Sequence, residues 1–147
     1  MASSWRIREA AAADAGALAR LSGQLGYPAE PPAIARRLAA IAVHAAGAVL
    51  VAESGDGTIA GWAHVLPQRR LEHDANVELA GLVVDESRRG AGVGAALLRA
   101  AEQWGSAHGY SEIVVRSNVI RGRAHRFYLR EGYAEKKRQA VFVKRLA

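Results

Sequence analysis

A glycine-rich turn between an apolar strand and a long helix carries the clearest chemistry in this sequence. It reads Asp85-Glu86-Ser87-Arg88-Arg89-Gly90-Ala91-Gly92-Val93-Gly94-Ala95. Glycines let backbone N–H groups approach a ligand closely, and a helix N-terminus offers unpaired N–H groups with a partial positive charge. Arg88 and Arg89 add long-range attraction for an anion. The turn therefore predicts a site for a phosphate or pyrophosphate group.

Two familiar phosphate-binding patterns fit this turn poorly. Gly90, Gly92 and Ala95 match the dinucleotide pattern G-x-G-x-x-A, but five residues separate the end of the strand from the first glycine. The loop of nucleoside triphosphatases requires lysine and then serine or threonine after its last glycine, where this chain has Ala95-Ala96. A third pattern remains, which is arginine or glutamine, two residues, glycine, one residue, glycine.

The composition excludes several kinds of chemistry. The chain has 147 residues and no cysteine, which excludes disulfides, thiolate metal sites and an acyl-cysteine intermediate. Its five histidines, at positions 44, 64, 73, 108 and 125, lack the close spacing of a metal site, so we expect no metal. The formal charge is +6, but the basic residues follow no nucleic-acid-binding pattern, so we expect no nucleic-acid partner.

No segment of the sequence resembles a targeting signal or a membrane span. The first residues lack the basic and then apolar pattern of a secretory signal. The longest apolar stretch, 39–52, is interrupted by His44 and Gly47 and is too short to cross a bilayer. We therefore expect a cytoplasmic protein with no membrane partner.

Hydrophobic periodicity predicts the elements that position the turn. The predicted strands are Trp5 to Glu9, Ala48 to Glu53, Thr58 to Leu66, Val77 to Val84, Ile113 to Arg116 and Gln139 to Lys144, with a polar connection from Gln68 to Asn76. The predicted helices are Ala12 to Leu25, Pro32 to His44, Gly92 to His108 and Arg123 to Arg130. A hairpin must be antiparallel, whereas a crossover through the long helix favours a parallel neighbour. We predict one α/β (α+β) domain over 1–147, with a central mixed, mostly antiparallel sheet flanked by about four helices.

The third pattern, Arg89-Gly90-Ala91-Gly92-Val93-Gly94, resembles the pyrophosphate-binding signature of the GNAT superfamily of acyl-CoA-dependent N-acetyltransferases. The strand from Glu78 to Val84, the pair Ser117-Asn118, and Ala124-His125-Arg126-Phe127-Tyr128 followed by Gly132-Tyr133 also look like that family. With the order of elements, the resemblance covers essentially the whole chain. It implies a GNAT-like domain that transfers an acetyl group from acetyl-CoA to a primary amine of a small molecule or peptide, by direct attack in a ternary complex.

The same resemblance implies the residues that hold the cosubstrate. Backbone groups of the cofactor strand would pair with the pantetheine arm, and Asn118 would bond the arm from the other side. Tyr128 would lie near the cofactor sulfur. The implied cofactor-binding residues are Leu82, Val83, Val84, Arg89, Gly90, Ala91, Gly92, Val93, Gly94, Ala95, Asn118 and Tyr128.

Two residues match catalytic positions of the family. An alkyl ammonium has a pKa of about 10.4 and must lose a proton before it can attack a thioester, so a base is required. The resemblance implies that Glu78 is that base, directly or through water; the equally weighted alternative is a glutamate that is solvated or paired with an arginine. It also implies that Tyr128 protonates the departing thiolate, against the alternative of a packed aromatic beside Phe127.

The acceptor and the function class leave alternatives open. By resemblance, the acceptor pocket lies between the first two helices and the hairpin, at residues 25–30, Trp62, His64 and the loop 69–74. The carboxylates of Glu30, Glu72 and Asp74 could attract an ammonium there, although charged loop residues are usually just solvated. The amine itself is not predicted. A non-catalytic acyl-CoA-binding or sensing domain is the alternative function, and a homodimer is a possible assembly.

Overall fold

Five strands in the order β1-β2-β3-β4-β5 form the central sheet of the computed structural model, which describes residues 5–117 and 121–147. The strands are β1 Arg6–Glu9, β2 Ala48–Glu53, β3 Ile59–Arg70, β4 His73–Val84 and β5 Ile113–Val115. The first four pair antiparallel, and β5 lies parallel to β4. This arrangement confirms the predicted mixed, mostly antiparallel sheet.

The described residues also form four α-helices. They are α1 Ala15–Leu25, α2 Pro31–Val43, α3 Val93–Ala107 and α4 Gly122–Arg130. The chain separates into two compact units, Met1–Arg116 with the sheet and α1–α3, and Ser117–Ala147 with α4. The assignment of one domain to 1–147 stays a prediction. None of the helices described is long and apolar enough to cross a membrane.

Two glycines let α3 lie close against the sheet. A Cβ atom added at Gly61 on β3 would lie 2.7 Å from the carbonyl oxygen of Val83 and 3.0 Å from the side chain of Leu97. A Cβ atom at Gly105, in the last turn of α3, would lie 2.9 Å from the side chain of Val77. Contacts this short leave no room for a side chain at either glycine. The two glycines therefore let α3 pack closely against β3 and β4.

The other face of the sheet is covered by α1 and α2. Leu18 and Leu21 of α1 and Ile34 of α2 are buried in one apolar cluster with Val51 and Val83 of the sheet. The apolar positions of α1 recur at helical spacing, as the sequence predicts. Burial of this stripe fixes α1 beside the end of β4, where the glycine-rich turn begins.

A charged network joins β1, β2 and the start of α1. The guanidinium of Arg8 donates to both oxygens of Asp14 at 2.8 and 3.0 Å, and to Glu53 at 2.7 and 3.0 Å. Asp14 also accepts the backbone N–H of Ala11 at 2.7 Å. The hydrogen bonds from Arg8 hold the pKa of Asp14 below its ordinary value. The charges of Arg8, Asp14 and Glu53 are therefore paired with one another within the chain.

Two predicted segments are wrong. The polar stretch from Gln68 to Asn76 is not a long connection, because β3 and β4 continue through it with Gln68 opposite Asn76 and Arg70 opposite His73. Backbone ladders form independently of side-chain polarity, so the hairpin turns only at residues 71–72.

The predicted closing strand from Gln139 to Lys144 is also not formed, and residues 134–147 have no regular secondary structure. Alternating apolar residues favour a strand, but a strand exists only with a neighbour to pair with. The large apolar side chains of this segment are exposed: Val141 86%, Phe142 92%, Val143 91% and Leu146 85%.

Candidate active site

The edge of β4 that faces β5 is paired over only three residues. Val77, Glu78 and Leu79 lie opposite residues 113–115 of β5, whereas the pairing of β4 with β3 continues to Val84. The register with β3 shifts at Ala80, which bends the strand where the pairing with β5 ends. Within residues 5–117, the backbone from Ala80 to Val84 therefore has an open edge whose N–H and C=O groups are available to a ligand.

The glycine-rich turn continues directly from this open edge. Gly90 and Gly92 have φ values of 85° and 83°, in the left-handed region that glycine adopts without strain. A Cβ atom added at either position would meet nothing within 4 Å, so both glycines border open space. The turn thus has the small residues and the room that a close-fitting anion requires.

The first turn of α3 supplies the hydrogen-bond donors. Ala96 donates to the carbonyl of Gly92 at 3.1 Å, which is the first helical hydrogen bond of α3. The N–H groups before Ala96 have no carbonyl ahead of them in the helix. The N–H groups of Gly92, Val93, Gly94 and Ala95 and the helix dipole therefore suit the negative charge of a pyrophosphate.

Side chains from α1 hold the start of the turn. Arg20 donates to the carboxylate of Asp85 at 2.8 Å and to the carbonyl of Ile59 at 3.2 Å. Asp85 accepts the backbone N–H of Ser87 at 3.1 Å, and Gln24 accepts the N–H of Glu86 at 3.0 Å. The bond from Ser87 and then that from Arg20 lower the pKa of Asp85 to about 2. These bonds fix the backbone that leads into the glycines.

Trp5 holds the middle of the turn. Its indole N–H donates to the carbonyl of Ala91 at 3.2 Å, and the guanidinium of Arg88 lies over its ring at 5.6 Å from the centroid. The Arg89 side chain is exposed. Arg88 is thus partly fixed by a cation–π contact, whereas Arg89 is left to reach an anion.

Glu78 lies on β4 in the segment paired on both sides, and its carboxylate is bonded to Arg116. Nη1 of Arg116 donates to Oε1 of Glu78. The Glu78 side chain is 16% exposed and that of Arg116 is 43% exposed. The arginine pairing considered from the sequence is therefore present, and it leaves Oε2 of Glu78 without a hydrogen bond from the residues described.

Tyr128 lies on α4 in the C-terminal unit, within an aromatic cluster. Its ring meets Phe127 and Tyr133 edge-on, with centroids 5.2 and 5.8 Å away. Burial raises the pKa of Tyr128 to about 12, so the phenol keeps its proton at neutral pH. The residue is both a packed aromatic and a protonated hydroxyl.

Part of the predicted acceptor pocket packs into the core under α1. Leu25, Ala29 and Trp62 pack against the apolar cluster of α1 and α2. The ring of His64 meets the carbonyl of Ala46 at 3.0 Å, which joins β3 to the segment before β2. The side chains of Glu30, Glu72 and Asp74 are all exposed, the first before α2 and the other two at the β3–β4 hairpin. The hairpin carboxylates are thus free to meet a cation.

The predicted cofactor residues fall into three groups. Leu82, Val83 and Val84 lie on the open edge of β4, and residues 89–95 form the turn and the first turn of α3. Asn118 lies outside the described residues. Trp5, Arg20, Gln24 and Asp85 support the turn but were not predicted from the sequence. The sequence signal for two of them was the helical spacing of Arg20 and Gln24, the two long polar side chains of α1.

The sequence matches one family model, described as the acetyltransferase (GNAT) family, over residues 16–133. Its similarity to a curated protein, the aminoglycoside N(6')-acetyltransferase type 1 of Stenotrophomonas maltophilia, is 35% identity over 150 residues. That alignment covers 97% of this chain and 94% of the relative.

Solved structures of acetyltransferases share the fold. The aminoglycoside N-acetyltransferase AAC(6')-Iy in complex with CoA has a TM-score of 0.85 and 23% identity, covering 99% of this chain and 98% of that one. The apo aminoglycoside 6'-N-acetyltransferase AAC(6')-IG of Acinetobacter haemolyticus has a TM-score of 0.83 and 18% identity, covering 97% and 99%.

Proposed function

Because this chain belongs to the GNAT family of acetyltransferases and transfers an acetyl group from acetyl-CoA to an amine of a small molecule, we propose that its acceptor is an aminoglycoside. The observation that carries this proposal is the 35% identity, over 97% of the chain, to an aminoglycoside N(6')-acetyltransferase. The exposed carboxylates of Glu72 and Asp74 at the β3–β4 hairpin suit a polycationic acceptor.

The open edge of β4 and the glycine-rich turn fit acetyl-CoA. We propose that backbone groups of Leu82, Val83 and Val84 bond the pantetheine arm, with Asn118 on its other side. Residues 89–95 would bind the pyrophosphate through the free N–H groups of Gly92 to Ala95 and the guanidinium of Arg89. Acetyl-CoA supplies the acetyl group as an activated thioester. The chain's contribution there is to hold it in one place, which makes the attack effectively intramolecular.

Glu78 is proposed as the base for the acceptor ammonium. Its carboxylate lies on the part of β4 that is paired with both β3 and β5, directly before the open edge. It accepts a proton from the ammonium, directly or through one water, and so frees the lone pair that attacks. The bond to Arg116 occupies only Oε1 and leaves Oε2 for that transfer.

Tyr128 is proposed as the proton donor to the leaving thiolate and as a cofactor contact. Its phenol is protonated at neutral pH, because burial raises its pKa to about 12. A hydroxyl in that state donates a hydrogen bond to a departing sulfur and then gives up its proton as the thiol forms. Solvent returns the proton to the phenolate.

Release of free CoA thiol tests the function and its acceptor. Wild type, Glu78→Gln and Tyr128→Phe are assayed with aminoglycosides, polyamines, amino acids, aryl amines and peptides. We expect kcat/KM for an aminoglycoside to exceed the other classes by at least about tenfold. We also expect turnover to fall by about 100-fold in Glu78→Gln and by about tenfold in Tyr128→Phe, while acetyl-CoA still binds. Turnover of another class alone contradicts the aminoglycoside proposal, and full activity in a variant contradicts that residue's role.

A homodimer is proposed as the assembly, and the cytoplasm, where acetyl-CoA is present, as the location. The exposed apolar side chains of Val141, Phe142, Val143 and Leu146 support the dimer, because a patch of this kind tends to be buried against another chain. Light scattering on wild type and on Phe142→Ser tests it. We expect a dimer that weakens to a monomer in the variant, and a monomeric wild type contradicts the proposal.

A further inference from the structure

The position of Arg116 is set by the parallel pairing of β4 with β5. Glu78 lies opposite Val114, and side chains of a strand alternate between the two faces of the sheet. Arg116, two residues after Val114, therefore lies on the same face as Glu78. It also directly follows the last residue of β5, at the point where the open edge of β4 begins.

A single hydrogen bond joins the side chains of Arg116 and Glu78. Arginine and carboxylate often pair through two parallel hydrogen bonds, whereas here a single donor, Nη1, meets a single acceptor, Oε1. The carboxylate of Glu78 is largely buried, whereas the guanidinium of Arg116 is partly exposed. A partly exposed ion pair of this kind adds little to folding stability, so its main effect is on where the carboxylate points.

We propose that Arg116 is a positioning residue for acetyl transfer. It holds Oε1 of Glu78, which fixes the torsion of the carboxylate and presents Oε2 to the acceptor ammonium at the start of the open edge. The inference rests on the proposed role of Glu78 as base. Arg116 itself exchanges no proton, and it acts only through the orientation of the glutamate. Misplacement of a catalytic group by about 1 Å costs about 100-fold in rate, which sets the scale of the expected effect.

A double-mutant cycle tests this role. The variants are Arg116→Met, Arg116→Lys, Glu78→Gln and the double variant Glu78→Gln with Arg116→Met, each assayed for kcat and for both KM values by thiol release. Arg99→Met, an exposed arginine on α3, is the matched control for loss of one positive charge. Thermal unfolding of each variant checks that it is folded.

We expect Arg116→Met to lower kcat about 10- to 100-fold, with KM for acetyl-CoA within about twofold of wild type. Arg116→Lys keeps one charged donor and should recover most of that loss, and Arg99→Met should have none of it. In the Glu78→Gln background, Arg116→Met should change kcat by less than about twofold, because residues that act as a unit are not additive. If Arg116→Met is not folded, the same comparison is made with Arg116→Lys, whose smaller loss should likewise vanish in the Glu78→Gln background.

The outcomes separate this inference from the proposed function. If Glu78→Gln lowers kcat about 100-fold and Arg116→Met lowers it further in that background by the same factor as in wild type, the positioning role is wrong and the base role stands. Wild-type kcat in Arg116→Met also overturns the positioning role alone. If Glu78→Gln keeps wild-type kcat, the base role is wrong, and the positioning role is overturned with it.

Discussion

An arginine–carboxylate contact anchors both the β1–β2 edge of the sheet and the turn from β4 into α3, yet the two regions differ in what remains unpaired. At the β1–β2 edge, Arg8 bonds Asp14 and Glu53, and Asp14 also takes a backbone N–H. At the turn, Arg20 and Asp85 fix the backbone, but the N–H groups at the start of α3 have no helical partner. The charges of the first region are paired within the chain, whereas the second region keeps free N–H groups that suit the proposed pyrophosphate.

The comparison separates stability from binding. A closed network contributes to the free energy of unfolding and has no reason to affect the KM for acetyl-CoA. An open turn contributes to binding, and the bonds behind it act by keeping its N–H groups in place. Variants in the two regions should therefore change different measurements.

The largest expected effect is on stability, in Arg8→Leu. Removal of the guanidinium leaves the largely buried carboxylates of Asp14 and Glu53 without their positively charged partner. Loss of one partner from a buried pair costs about 3–5 kcal/mol and from an exposed pair less than about 1 kcal/mol. With the Arg8 side chain 25% exposed, we expect a loss of about 2 kcal/mol by denaturant unfolding. Arg6→Leu, at an exposed position of the same strand, should lose less than about 0.5 kcal/mol, and an equal loss in both variants contradicts the network's role.

The next effect is on binding, in Gly92→Ala. The new Cβ occupies open space at the turn and forces alanine into a φ of 83°, so KM for acetyl-CoA should rise about tenfold, or about 1.4 kcal/mol. Gly109→Ala is the matched control, since Gly109 has a φ of 87° and open space at the opposite end of α3. Both variants should lose about 1 kcal/mol of stability, but only Gly92→Ala should change KM. An equal rise of KM in the control contradicts the role of the glycine-rich turn in binding acetyl-CoA.

The turn was predictable because its signal is local. Closely spaced glycines at positions 90, 92 and 94, followed by an apolar stripe, indicate a helix N-terminus with free N–H groups, and the structure has α3 beginning at Val93. The strands and helices of the sheet unit were predictable for the same reason, since their apolar residues recur within a few positions.

The partners of the turn were not predictable, because they are distant in sequence. Arg20 bonds Asp85 and Trp5 bonds Ala91 only after β1, β3 and α1 have packed around the end of β4. The choice of Arg116 for Glu78 likewise depends on the register of β4 with β5. The segment from Gln139 to Lys144 shows the converse, since a local strand pattern there does not supply the neighbour that a strand needs.

A smaller effect on binding is expected in Asp85→Asn. The amide cannot replace the charge-assisted bond to Arg20, but Gln24 and Trp5 still hold the turn. KM for acetyl-CoA should therefore rise only about threefold, or about 0.7 kcal/mol, measured by thiol release. Asp14→Asn, which weakens the other network, should lower stability and leave KM unchanged. A tenfold or larger rise in Asp85→Asn would mean that Asp85 itself shapes the anion site.

The smallest effect is a change of stability with pH that Asp85 alone produces. Its folded-state pKa of about 2 lies below the ordinary value of 3.8, so its contribution is present above about pH 4 and disappears as the pH falls toward 2. The difference in free energy of unfolding between wild type and Asp85→Asn should thus be constant from pH 5 to 7 and shrink between about pH 4 and 2. Other carboxylates, Asp14 included, titrate in both proteins and cancel in that difference. A difference that stays constant down to pH 2 would mean that Arg20 and Ser87 do not stabilise the ionised form of Asp85.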